Sequence, residues 1–152
     1  MKYFTFTEFE RSATATRYAI DNTLPDKLKG NVAALVDNVL DPLREAWGRP
    51  ITVTSGYRCP ELNRHINGAS KTSQHMTGQA ADIRIYVRDS KGHIVKDADG
   101  HAIVDKVANR RLFQMIIDLK LPFDQLIDEC NLSWVHVSHR ADGNNRGEII
   151  AL

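Results

Sequence analysis

The sequence has only two cysteines, no long apolar run and almost no net charge. Cys59 and Cys130 lie far apart and form no Cys-x-x-Cys pair, which argues against a thiolate metal knuckle and predicts two reduced, partly buried thiols. No stretch approaches the roughly 18 consecutive apolar residues of a transmembrane helix, so we predict no membrane span. The formal net charge of +1 is too small to attract a polyanion, and nucleic acid is therefore not a predicted partner.

The length of 152 residues suits one domain with a modest core. We therefore predict a single domain over residues 1–152 that acts as a monomer. An acidic residue, Glu8, interrupts the first segment before an apolar signal core is formed, so we expect no Sec signal. The chain is then made in the cytoplasm, and any role on the cell wall needs another release route.

The spacing of apolar residues predicts several helices, of which the longest covers residues 25–48. Its apolar residues recur at three- and four-residue steps, which places them on one stripe of a helix. Pro42 lacks a backbone N–H, so we expect a kink or break near Asn38. Further helices are predicted over residues 106–120, after an N-cap at Thr7, and from Pro60 onward.

Alternation of apolar and polar residues predicts four short strands. In residues 81–87, Ile83 and Ile85 lie on one face of the strand, with Asp82 and Arg84 on the other. Together with the helices, the strands predict an α+β fold, in which a small antiparallel sheet packs against helices. The other strands are predicted over residues 51–54, 124–128 and 134–138, and residues 88–105 are predicted to form a projecting hairpin or loop.

Residues 73–82 contain side chains that suit a metal site. His75 offers an imidazole nitrogen and Asp82 a carboxylate oxygen, and both are competent zinc ligands. Gly78 lets the backbone turn tightly, and Ala80 keeps the face of Asp82 free of bulk. Because a catalytic zinc ion needs three protein ligands and one open position, we expect a third ligand from elsewhere in the sheet.

The strand over residues 134–138 supplies that third ligand. Alternation places Trp134, His136 and Ser138 on one face, so we predict one Zn²⁺ ion held by His75, Asp82 and His136. Of the other histidines, His139 stands at the strand end, where a place on the surface is favoured over a role in or beside the site. The remaining three are expected to be solvated: His65, His93 and His101.

Three motifs give the chain a family resemblance. Residues 73–82 match the pattern S-x-H-x-x-G-x-A-x-D, residues 55–58 match S-G-Y-R, and residues 134–136 match a later strand histidine. With these motifs the chain resembles the zinc D-Ala-D-Ala carboxypeptidases and dipeptidases, a family that also includes phage endolysins and the hedgehog signalling domain. The likeness covers residues 51–138, and the long helix before them also resembles that of small phage or prophage members.

The resemblance implies a mechanism. Zinc held by His75, Asp82 and His136 polarises the scissile carbonyl and lowers the pKa of a bound water, which is the nucleophile. Arg58 is implied to hold a substrate carboxylate or carbonyl with its forked donors. Ser73 either bonds the polar end of the substrate or is a turn or capping serine.

At the position of the general base, the sequence differs from several members of the family. Several relatives carry an acid three residues before the last histidine, where this chain has Ser133. Other relatives place a glutamate just ahead of the loop into the histidine strand, so we predict that Glu129 is the catalytic base. Asp128 is the alternative, because strand alternation puts the two carboxylates on opposite faces and does not say which face looks at the metal.

These features predict a zinc metallopeptidase that acts on the D-amino-acid-containing stem peptides of peptidoglycan. The cut is either carboxypeptidase removal of a terminal D-alanine or endopeptidase cleavage within the stem, as in an endolysin. The alternative is a binding or structural module of the same fold that keeps the zinc but does not turn over substrate.

Overall fold

The computed structural model describes residues 1–151 and shows an α+β fold, which confirms the predicted class. Its five strands form one sheet in the order β1-β2-β4-β3-β5, and every neighbouring pair is antiparallel except β3 and β5. Within the described residues, no helix has the length and apolar character needed to cross a membrane. The helices are α1 (Phe6–Glu10), α2 (Ala13–Arg17), α3 (Lys29–Leu35), α4 (Asp41–Trp47), α5 (Pro60–His65) and α6 (Lys106–Asp118), and the strands are β1 (Thr52–Ser55), β2 (Ala80–Arg84), β3 (Gln125–Glu129), β4 (Trp134–Ser138) and β5 (Glu148–Ala151).

The long helical region is interrupted near Asn38, as the position of Pro42 predicted. A π-helical segment, Val36–Leu40, separates α3 from α4. The N–H of Asp41 donates to the Val36 carbonyl, five residues back, because Pro42 cannot continue the ordinary hydrogen-bond ladder. Gly48 ends the region in the left-handed conformation, with φ of 77°.

The first helix begins earlier than predicted. Thr5, rather than Thr7, is its N-cap: the Thr5 hydroxyl accepts from the Glu8 N–H, and the Glu8 carboxylate accepts from the Thr5 N–H. This reciprocal capping box satisfies two backbone donors, which explains why it prevails over a cap at Thr7. A second short helix follows, α2, which was not predicted and is capped by Ser12.

Strand alternation directs one face of the sheet into the core. Ile83 of β2, Leu126 of β3 and Val135 of β4 are fully buried in the main apolar cluster, together with residues of α3, the π-helical segment and α6. Since successive side chains point to opposite faces, the intervening residues of β2 and β4 lie on the other face. This second face carries Asp82 and His136, and it forms the floor of a cleft.

Strand β5 was not predicted, and it changes one edge of the sheet. Its parallel pairing with β3 sets Gln125 opposite Glu148 and Leu126 opposite Ile149. The segment of residues 139–147 must therefore pass from the end of β4 across to the far side of β3. This loop lies beside the cleft as a consequence.

Residues 86–104 form the projection predicted between β2 and α6. Three extended segments pair with one another through backbone hydrogen bonds. The Val87 N–H donates to the Ile103 carbonyl, the Val95 N–H to the Val87 carbonyl, and the Ile103 N–H to the Val95 carbonyl. The two turns between these segments share the sequence Asp-x-x-Gly-His, an internal repeat that was not predicted. In each turn the aspartate carboxylate accepts hydrogen bonds from two backbone N–H groups of the same turn.

A close backbone approach leaves no room for a side chain at Gly56. A Cβ added there would lie 2.6 Å from Phe9 Cδ1 and 2.8 Å from the Phe9 Cα atom, and a backbone atom cannot move aside without shifting α1. We expect Gly56→Ala to lower the free energy of unfolding by about 1–3 kcal/mol. Gly30→Ala, within α3 and with nothing within 4 Å of the added atom, should raise it by about 0.5–1 kcal/mol. Urea unfolding of both variants tests this, and a shift of the same sign in both would contradict it.

Candidate metal centre

Antiparallel pairing of β2 with β4 brings two of the predicted ligands together. Asp82 lies directly opposite His136, and such partners present their side chains on the same face of a sheet. The His136 Nδ1 atom lies 3.0 Å from Asp82 Oδ1. The two side chains are 12% and 15% exposed, so they lie in a recess that solvent still reaches.

The third predicted ligand, His75, comes from a 3₁₀ turn over Gln74–Thr77 that precedes β2. Its side chain is 1% exposed, and its Nδ1 lies 2.7 Å from the Gly56 carbonyl oxygen. Because a carbonyl only accepts, Nδ1 carries the proton and Nε2 is left with a free lone pair. Nε2 points toward Asp82, 3.4 Å from Oδ1, and makes no hydrogen bond.

These three side chains fit a zinc ion. One ligand atom from each lies within 4.8 Å of the other two. A buried imidazole nitrogen with no hydrogen-bond partner is costly unless a ligand uses its lone pair, and the Gly56 carbonyl holds the ring in the required tautomer. Two imidazoles and one carboxylate are a ligand set typical of a catalytic zinc site with an open position.

Electrostatics favours the ligand forms of these side chains. Burial lowers the pKa of His75, which keeps the imidazole neutral near pH 7. Burial alone would raise the pKa of Asp82, but the neighbouring His75 and His136 outweigh it and hold that pKa well below its ordinary value. A neutral imidazole and an ionised carboxylate are the forms that bind a metal.

The pairing of β3 with β4 separates Glu129 from Asp128. Glu129 lies opposite Trp134, so its side chain is on the same face as His136 and lines the cleft. Asp128 lies opposite Val135, whose side chain is in the core, and it is therefore on the other face. Of the two carboxylates considered as general base, the structure therefore places only Glu129 on the face that carries His136.

Glu129 is followed by an unusual turn. Cys130, Asn131 and Leu132 have φ of 46°, 55° and 61°, which places three successive non-glycine residues in the left-handed region. The turn is held by Asn109 of α6, which is fully buried and donates to the Leu132 carbonyl at 2.7 Å. The free thiol of Cys130 is exposed there, whereas partial burial was predicted.

Arg58 and Ser73 also line the cleft. Burial lowers the pKa of Arg58, and the negative charges of Asp82 and Glu129 oppose this effect, which indicates that the guanidinium lies near both carboxylates. The Arg58 Nε atom is buried without a hydrogen-bond partner. The Ser73 hydroxyl accepts from the His75 N–H at 3.2 Å, so of the two roles considered for Ser73 the structure shows the capping contact.

The prediction that His139 lies on the surface is wrong. The side chain is 5% exposed, and its Nδ1 lies 2.6 Å from the Pro122 carbonyl oxygen. Its backbone N–H donates to Gln79, which continues the pairing beyond the end of β4. His139 therefore fastens the end of β4 to the loop before β3.

The cleft has a volume of about 830 Å³ and extends well beyond the predicted site residues. At one end, the fully buried Asp124 accepts hydrogen bonds from Gln74 and from the side chain and backbone of Arg146. Arg140 lines the same end. The sequence did not predict this end of the cleft. The pairing of β5 with β3 brings its residues together, and β5 was not predicted.

The Asp124–Arg146 contact makes stability depend on acid pH. The Arg146 hydrogen bonds lower the pKa of Asp124 from 3.8 to about 2. A carboxyl group whose pKa is lower in the folded state stabilises the fold above its unfolded pKa and loses that contribution as pH falls toward about 2. We expect protonation of Asp124 to lower the free energy of unfolding by about 1–2 kcal/mol between pH 5 and pH 2. Urea unfolding should show a smaller loss for Asp124→Asn over this interval, and an identical loss would contradict the assignment.

A second group of potential ligands lies on the projection. Asp97, Asp99 and His101 also have ligand atoms within 4.8 Å of one another, but all three residues are exposed. Their carboxylates and rings are arranged by the local turn, and exposed acidic groups of this kind are common without a metal. The two groups therefore differ in burial, since His75 is buried and all three residues of the second group are exposed.

Comparison with known families agrees with the geometry. A family model described as Peptidase M15 matches residues 2–110, which is more than half of the chain. The chain belongs to the peptidase M15 family. This confirms the resemblance to the zinc D-Ala-D-Ala carboxypeptidases, and M15 peptidases are zinc dependent. The matched segment contains Arg58, Ser73, His75 and Asp82, whereas Glu129 and His136 lie beyond it. No curated protein matches the chain.

Proposed function

We propose that this M15 peptidase hydrolyses peptide bonds in the stem peptides of peptidoglycan, with one zinc ion held by His75, Asp82 and His136. The observation that carries the proposal is the unpaired, buried Nε2 of His75, which faces a carboxylate and a second imidazole on the floor of an open cleft. The motifs shared with enzymes that act on D-alanyl peptides favour peptidoglycan over other peptide substrates.

When bound, zinc supplies Lewis-acid polarisation of the scissile carbonyl and lowers the pKa of a water. The chain supplies the remaining chemistry. Glu129 lies on the metal side of β3, where its carboxylate accepts the proton of the attacking water and then delivers it to the leaving amine. Arg58 lies near the same carboxylate and holds a carboxylate or carbonyl of the substrate with its forked donors.

The Gly56 carbonyl and Ser73 position His75 rather than act on the substrate. The carbonyl fixes the tautomer through Nδ1, and the Ser73 hydroxyl caps the turn on which His75 stands. Trp134 forms one wall of the cleft, with the Arg84 guanidinium 5.8 Å from the centre of its ring. These contacts hold the site rigid before the substrate arrives.

The decisive experiment is mass spectrometry of muropeptides after digestion with zinc-loaded protein and with chelator-treated protein. We expect new products only with zinc present. Loss of a terminal D-alanine identifies a carboxypeptidase, and two stem fragments identify an endopeptidase. Identical products in both samples would refute metal-dependent cleavage, and stoichiometric zinc without any product would support the non-catalytic zinc module instead.

A further inference from the structure

The end of the cleft beyond His136 has a different character from the end at Trp134. Strand β4 runs from Trp134 through His136 to Ser138, so Arg140 lies on the opposite side of the metal centre from Trp134. The loop of residues 139–147 carries both Arg140 and Arg146 to this end. Glu129, which faces Trp134, is at the other end. The cleft is therefore asymmetric, with two arginines on one side of the metal.

Arg146 is held rigidly. Its Nε and Nη2 donate to the two oxygens of Asp124 at 3.0 and 2.8 Å, and its backbone N–H donates to Oδ1. Asp124 is fully buried, yet the Arg146 side chain is 51% exposed. This bidentate contact leaves Nη1 for a ligand and fixes the plane of the guanidinium in advance, which reduces the entropy lost on binding.

Arg140 supplies a positive charge that no acid within the described residues neutralises. No carboxylate among residues 1–151 forms an ion pair with its guanidinium, whose hydrogen bond is a long one of 3.4 Å to the Asn144 carbonyl. Its backbone is nevertheless fixed, because its N–H donates to Asn145 Oδ1 at 2.7 Å. A side chain on a fixed backbone with an unpaired charge is well suited to binding an anion.

Gln74 adds an unused acceptor at the same end. Its Nε2 donates to Asp124 Oδ2 at 2.9 Å, which orients the amide and identifies the other atom as Oε1. Oε1 is buried and has no hydrogen-bond partner. An N–H from a ligand would satisfy it, and a buried acceptor that stays unpaired is costly.

We propose that Gln74, Arg140 and Arg146 form a subsite that binds a carboxylate-bearing residue of the peptide substrate. Gln74 Oε1 accepts a peptide N–H of that residue, and the two guanidinium groups bind its carboxylate. The subsite is distinct from Arg58, which lies near Glu129, so the enzyme recognises two separate polar groups of its substrate. This inference rests on the proposed peptidase function, since a carboxylate is the anionic group that a peptide brings to the cleft.

The test compares stem peptides that differ only in one carboxylate, present either as the acid or as the primary amide. Binding is measured by titration calorimetry on zinc-loaded Glu129→Gln protein, so that the readout does not need turnover. Hydrogen bonds to charged groups predict that amidation at one position weakens binding by roughly tenfold or more. Arg140→Gln should remove most of that difference, because it weakens binding of the acid more than binding of the amide.

Arg140→Gln is chosen because Arg146→Gln would leave the buried Asp124 without its partner and disturb the fold. Arg111→Gln, an exposed residue of α6, makes the same charge change away from the cleft and should keep the full preference for the acid. Arg58→Gln should alter the response to a carboxylate at a different position.

Two results overturn the subsite but leave the peptidase proposal standing: the peptides bind but Arg140→Gln keeps the wild-type preference, or the peptides bind and no amidation changes affinity. A third result, no binding of any stem peptide, overturns both the subsite and the peptidoglycan substrate.

Discussion

Asp82→Ala should abolish zinc binding and peptide hydrolysis together. Asp82 is the only carboxylate of the predicted ligand set, and its oxygen lies within 3.4 Å of both imidazoles, so its removal takes away a ligand and the partner of the other two. We expect the zinc content to fall from about one ion per chain to near zero, and kcat/KM to fall by roughly 10³–10⁵-fold. Elemental analysis of the purified protein and the muropeptide assay measure the two effects.

The exposed cluster on the projection provides the matched control. His101→Ala removes one potential ligand from the Asp97, Asp99 and His101 group, and it should leave both zinc content and activity unchanged. Retention of one zinc ion by Asp82→Ala, with its loss in His101→Ala, would move the metal site to the projection. Circular dichroism and urea unfolding confirm that both variants are folded.

Glu129→Gln should separate catalysis from metal binding. The amide keeps the shape of the side chain but cannot accept a proton from the attacking water, so kcat should fall by about 10²–10⁴-fold. Zinc content should stay at about one ion per chain, because Glu129 is not among the three ligands. KM should change little, since the substitution removes proton transfer rather than a contact to the ground state of the substrate.

Asp128→Asn makes the same chemical change one residue earlier, on the opposite face of β3. Its activity per folded molecule should remain within about threefold of the wild type, because alternation turns its side chain away from the metal. Glu129 is excluded as the base if Glu129→Gln retains full activity. A large loss in Asp128→Asn alone would contradict the pairing of Asp128 with Val135 and of Glu129 with Trp134.

Local patterns predicted much of the site. Alternation in residues 81–87 and 134–138 placed Asp82 and His136 on the face opposite the core, and β2 and β4 show this arrangement. The interruption at Pro42 followed from one missing N–H. These predictions succeed because side-chain direction in a strand and hydrogen bonding in a helix depend on residues a few positions apart.

The predictions that failed depend on distant contacts. Nothing near His139 in the sequence indicates that the Pro122 carbonyl will meet its ring, so the residue appeared to be on the surface. Strand β5 has no clear alternation of apolar and polar residues, and it is stabilised by pairing with β3. The choice between Asp128 and Glu129 likewise needed the register against β4.

The sequence by itself determined the chemistry of the candidate metal centre: which two imidazoles and which carboxylate could bind an ion, and that strand alternation keeps two of them out of the core. Only the tertiary structure decided how the cleft is completed. The pairing of β3 with β4 turns Glu129 toward the face that carries His136, and the pairing of β5 with β3 brings Arg140 and Arg146 to the far end of the cleft. The physical reason is that residue type and periodicity are local properties of the chain, whereas register and proximity arise from contacts between segments far apart in sequence.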